Sequence, residues 1–124
     1  MNYEKRIDEL KEKIIENKLN KEQNDLAINY AAIGTILAME KKYDKALEFF
    51  NESQTVRLKN DDKVGMIKNY LSMAKIYQLL GDNEKALSFV FLGINIISQI
   101  KEETGFYHPL TSNLNYLKEE LESV

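Results

Sequence analysis

The chain has 124 residues, 44% of them hydrophobic and 30% charged, a balance that suits one packed domain. Its net charge of −3 comes from interleaved lysines and carboxylates, so there is no basic stripe for a nucleic-acid backbone, and the absence of cysteine excludes disulfides and thiolate metal sites. The start, Met1-Asn2-Tyr3-Glu4-Lys5, lacks the apolar core of a secretory signal, and the longest uncharged stretch, residues 86–100, is short of the ~20 residues that a membrane-spanning helix needs. The expectation is a cytoplasmic protein that binds neither nucleic acid nor membrane.

A first helix is expected over 2–18, opening on Tyr3-Glu4-Lys5-Arg6-Ile7. The same start returns 40 positions on, as Tyr43-Asp44-Lys45-Ala46-Leu47, and again as Asn83-Glu84-Lys85-Ala86-Leu87. A helix pair is expected over 22–59 and a second over 61–101. Their first members align at the same offset, Asn29-Tyr30-Ala31-Ala32-Ile33-Gly34-Thr35-Ile36-Leu37 against Asn69-Tyr70-Leu71-Ser72-Met73-Ala74-Lys75-Ile76-Tyr77. In each copy the aromatic, the apolar residue three later and the one four beyond form a helical stripe. Gly34 and Ala74 sit inside it, and Ala46 and Ala86 give the partner helix a matching flat spot, so the two backbones should approach closely.

The second helix of the second pair departs from its counterpart. Phe91 and Leu92 stand where the earlier copy has Asn51 and Glu52, leaving 89–100 apolar nearly all round. Such a helix is expected to be covered on more than one side, first by the closing helix and then by another chain, which makes Phe91 and Leu92 the candidate oligomer contact. The closing helix is expected over 108–122, with Pro109 in its first turn and His108, the only histidine, as a helix-start residue. Lys118 is placed in the small-residue slot of that helix. The charges at both ends, Lys5 to Lys13 and Lys118 to Glu122, read as the polar outer faces that a stack of repeats needs.

An aromatic, an apolar-small pair, a turn, then alanine with a bulky apolar residue four later resembles the tetratricopeptide repeat. The residues that carry the likeness are Tyr30, Ile33, Gly34, Leu37, Ala46 and Phe50 in the first full copy and Tyr70, Met73, Ala74, Tyr77, Gly81, Ala86 and Val90 in the second. Lys41 stands where the turn glycine is expected, Ser53 and Gly93 replace a usual alanine, and no proline closes either repeat. The 40-residue spacing exceeds the common 34. With the linkers at 58–65 and 104–109, it is similar to the long-repeat variant of kinesin-light-chain and G-protein-modulator type. The resemblance implies an all-α fold, a right-handed superhelical solenoid of antiparallel helix pairs with six helices in all, spanning 1–124 as a single domain.

No pattern for chemistry is present. There is no glycine-rich phosphate loop and no His-Glu-x-x-His, and Glu16, Glu22, Glu40, Glu48 and Glu52 lie among lysines as a solvated face. The chain reads as a non-enzyme without cofactor or metal. In the family it resembles, residues six and three before the small residue, and one, four and five after it, line a concave groove. That implies Ile28, Ala31, Thr35, Ala38 and Met39 from one helix, then Lys68, Leu71, Lys75, Gln78 and Leu79 from the next. This wall suits a partner peptide or helix with apolar anchors and an acidic group for Lys68 and Lys75. Ala31 and Thr35 stand where the chaperone-type clamp has lysine and asparagine, which disfavours a chaperone tail as the ligand. The leading expectation is an adaptor or scaffold holding a partner protein. Self-assembly as a homo-oligomer through Phe91 and Leu92 is the alternative, and a regulatory or sensor domain of a larger system is a weaker one.

Overall fold

The three aligned starts are the N-termini of three helices in the computed structural model, which describes residues 2–123. The described residues form α1 (Tyr3–Leu19), α2 (Gln23–Met39), α3 (Tyr43–Lys59), α4 (Lys63–Leu79), α5 (Asn83–Thr104) and α6 (Leu110–Glu122). The expected all-α, helical-repeat architecture is what the chain adopts. Helix boundaries fall within three residues of expectation. The largest shift is at the end of α5, which runs 22 residues because no breaker intervenes before Gly105 stops it in the left-handed conformation, φ 83°.

The first four helices are 17 residues each and are separated by three-residue connections, so one helix and its turn recur every twenty residues. Each turn closes in the same way. After α2, Lys41 N–H donates to the Ala38 carbonyl and Lys42 N–H reaches back to that of Leu37, both at 2.9 Å, a Schellman pair that satisfies the last carbonyls of the helix. The matching long bonds run from Glu22 to Asn17, from Asp62 to Arg57 and from Asp82 to Tyr77. The motif requires positive φ at its hinge residue, and Lys21, Lys41, Asp61 and Gly81 all have it. Only one of the four is glycine.

The described residues form two compact units, 2–62 and 63–123. In the first, α2 packs on both α1 and α3. A β-carbon built on Gly34 would lie 2.9 Å from two carbons of the Phe50 ring and 3.2 Å from the Ala46 carbonyl oxygen, so the small residue does set the approach of α2 to α3. The Ser53 hydroxyl, where the repeat usually has alanine, donates to the Ala27 carbonyl at 2.7 Å and stitches the same two helices in a buried site.

In the second unit α5 packs on both α4 and α6, over a core that includes Ile67, Ala74, Ala86, Val90, Ile97, Leu114 and Leu121. Gly93 is the landing point of the last helix, since a β-carbon there would meet Leu114 Cδ2 at 2.7 Å. The small residue of this contact therefore lies on α5 and the large one on α6. The Lys118 ammonium, on the same helix, stands 5.9 Å from the centre of the Phe91 ring. Because α6 settles over the Gly93 side of α5, Phe91 and Leu92 stay 49% and 44% exposed instead of being covered by it. His108 does act at the helix start: its Nδ1 accepts from Leu110 N–H at 3.1 Å, and its carbonyl accepts from the Thr111 hydroxyl.

Candidate functional site

In the second unit α4 and α6 flank a cleft of about 460 Å³ lined by Lys75, Gln78, Ser112, Asn113, Tyr116, Leu117 and Glu120. It exists because both helices turn their apolar residues toward α5 and leave polar ones facing each other. On α6, Leu114, Leu117 and Leu121 are buried at the spacing of one helical stripe, and Asn113, Tyr116 and Glu120 occupy the adjoining face. One bond ties the walls together, Gln78 Nε2 donating to Glu120 Oε1 at 2.5 Å. Three residues back on α4, Lys75 is exposed, so its ammonium is open to an anionic partner.

The cleft thus offers a cation, a carboxylate, amide and hydroxyl groups able to both donate and accept, and an exposed phenol ring over an apolar base at Leu117. That inventory can hold a peptide by its backbone and one side chain.

Of the residues expected on the groove wall, Lys75 and Gln78 line this cleft. Lys68 and Leu79 are exposed on the same helix outside it, and Leu71 is buried in the core beside Ile67 and Ala74. In the first unit, Ile28 and Met39 are each 54% exposed on α2, Ala31 and Ala38 are half-buried, and the exposed Thr35 spends its hydroxyl on the Ala31 carbonyl at 3.0 Å. Thr35 is therefore anchored to its own helix, and the α2 face is mostly apolar.

Ser112, Asn113, Tyr116 and Glu120 were not expected in a site. The 40-residue period points at α6 from α4, but α5 is longer than α3 and the 105–109 connection longer than the earlier turns, so the phase is lost before α6 begins. A three-and-four spacing of polar residues and tyrosine beside the leucine stripe was the available signal.

No group of three or more His, Asp or Glu among the described residues could hold a metal ion, and none of their helices is long and apolar enough to cross a membrane. The tetratricopeptide repeat family profile matches residues 14–90, from the middle of α1 to the first turns of α5. A search of curated proteins found no match.

Proposed function

The chain belongs to the tetratricopeptide repeat family, whose repeats mediate protein–protein interaction, and from that premise we propose that it is a non-catalytic adaptor holding a segment of a partner protein. The observation that carries this reading is the cleft between α4 and α6, which joins Lys75 to the Gln78–Glu120 bridge and the exposed Tyr116 ring. An extended or helical peptide suits it, with an acidic group toward Lys75 and an apolar or aromatic side chain on Tyr116. The exposed Ile28 and Met39 of α2 supply apolar anchors on a separate face. A location in the cytoplasm and a protein ligand, not nucleic acid, fit the cysteine-free sequence and its net charge of −3.

Lys68→Glu combined with Lys75→Glu tests the assignment. Both side chains are exposed, so the circular-dichroism spectrum and melting point should stay as in the wild type while capture of the partner from its native extract is lost. Unchanged affinity of the double variant for a verified partner would reject the cleft.

A second reading is self-assembly through α5, favoured by the neighbouring half-exposed Phe91 and Leu92. Sedimentation at several concentrations decides it, because a strict monomer at the highest concentration removes that surface as an oligomer contact.

A further inference from the structure

The two repeats differ at one rung of an aromatic ladder. Between α4 and α5 the rings of Tyr70 and Phe89 lie 6.0 Å apart, Tyr77 stacks on Phe89 at 5.4 Å with 9° between planes, and Lys85 Nζ stands 5.1 Å from the centre of Tyr77. Forty positions earlier stand Tyr30, Phe49, Leu37 and Lys45. The Tyr30–Phe49 contact recurs at 6.3 Å, but the third ring is absent because leucine takes its place. At this point the first unit opens a cleft of about 490 Å³, with Ile7, Leu37 and Phe49 as apolar lining and Glu40 and Lys45 among its charged residues. Its volume lies within the roughly 300–1,000 Å³ of small-ligand pockets.

One polar atom in this cleft lacks a partner. Glu40 Oε1 is buried without a hydrogen bond, while the other carboxylate oxygen of Glu40 is 3.7 Å from Lys42 Nζ. A buried acceptor left without a donor is costly, and a donor delivered from outside would remove that cost. The second repeat has Leu80 at the matching position, so the carboxylate belongs to this cleft alone.

We propose that the cleft is a socket for a tyrosine side chain presented by a partner protein. The incoming ring stacks on Phe49 beneath Lys45, beside Leu37 where the second repeat has Tyr77, and its phenol O–H donates to the Glu40 carboxylate, whose side chain is 23% exposed and turns to meet it. Phenylalanine makes the stack and leaves Glu40 without a donor. Phosphotyrosine loses the O–H that donates and brings its charge beside Glu40, where the carboxylates of Glu4, Asp8, Glu40 and Glu48 face Lys11, Lys42 and Lys45, so phosphorylation of the partner weakens this contact. The socket shares no residue with the α4–α6 cleft, so it engages its partner independently of the peptide site.

The test is a titration of the full ¹⁵N-labelled chain with N-acetyl-tyrosinamide, followed by amide resonances. Saturable shifts are expected at Glu40, Lys45 and Phe49. Binding of N-acetyl-phenylalaninamide should be weaker by about threefold or more, the loss of one hydrogen bond, and the O-phospho derivative should also bind more weakly than the tyrosine amide. Leu37→Tyr should rebuild the ladder from within and abolish the titration while the spectrum stays folded. Glu40→Leu should make the tyrosine and phenylalanine amides equal. Shifts that persist in Leu37→Tyr, equal binding of the two amides by the wild type, or no saturable shift at the solubility limit of the tyrosine amide would each overturn the socket.

Discussion

Gly34 leaves no room for a side chain, because its absent β-carbon would press on the Phe50 ring and the Ala46 carbonyl. Gly34→Leu should therefore lower the unfolding free energy by about 1–3 kcal/mol or more, read from urea titration, and Ala86→Leu, at a fully buried position, should do the same. A wild-type midpoint in either variant would mean that these helix pairs can part without loss. Gly93 sets two effects against each other. Alanine there would gain ~0.5–1 kcal/mol of helix propensity, but its methyl group would meet the fully buried Leu114 at 2.7 Å, an overpacking that costs ~1–3 kcal/mol. Gly93→Ala is expected to be destabilising on balance, with faster amide exchange in α6. Gly34 could be read in the sequence because it interrupts an apolar stripe of its own repeat. Gly93 could be read only as a departure from alanine, because Leu114, which it accommodates, lies beyond the reach of the period.

The turns are where the elements differ in quality while sharing one geometry. Lys41, with φ 63°, does the work of Gly81, with φ 83°, and a non-glycine residue in the left-handed region costs ~1–2 kcal/mol, part of which glycine returns through its freer unfolded chain. Lys41→Gly should raise stability by about 0.5–1 kcal/mol and the melting point by a few degrees. Gly81→Ala should lower stability by a similar amount on backbone grounds alone, since nothing lies within 4 Å of its missing β-carbon. Equal melting points for both variants and the wild type would show that these turns tolerate the hinge conformation without cost. Caps differ as well: Asn2 and Asp82 accept from the backbone of Lys5 and Lys85, whereas Glu22 and Lys42 make no such bond. Asp82→Ala should cost ~1 kcal/mol of stability, which thermal melts would detect. The helix starts were readable because they repeat as short strings. The end of α5 was not, because the helix continues through residues with no stop signal until Gly105.

Taken as a whole molecule, the chain puts two large apolar side chains of α5 at its surface. Phe91→Asn with Leu92→Glu restores the residues of the preceding repeat, and with both sites about half-exposed the helicity and melting point should change little, on the ~0.5 kcal/mol scale of surface substitutions. If Phe91 and Leu92 join two copies, the mass seen by light scattering falls to that of one chain; an unchanged mass would remove these two residues as an oligomer contact. At this scale the all-α repeat could be read from the 40-residue offset as far as α5, and of the cleft only the α4 wall, Lys75 and Gln78, could be. The α6 wall could not be, since it depends on where a longer α5 and a five-residue connection deliver α6.

The twenty-residue spacing of the four Schellman turns governs which changes of chain length the protein can absorb. A residue inserted within α2 or α3 turns everything after it by about 100° around the helix axis and carries Gly34 or Ala46 away from its contact. One inserted at 21–22, 41–42, 61–62 or 81–82 breaks the paired carbonyl bonds that close the turn. The connection at 105–109 lacks the paired long bonds of those turns, its own bonds being the Gly105–Lys101 closure at one end and the His108 cap at the other. Single-residue insertions scored by folded yield should therefore be tolerated between Phe106 and Tyr107 and rejected at the four earlier turns, so the protein can absorb a change of length in the stretch that aims α6 and sets the width of the α4–α6 cleft.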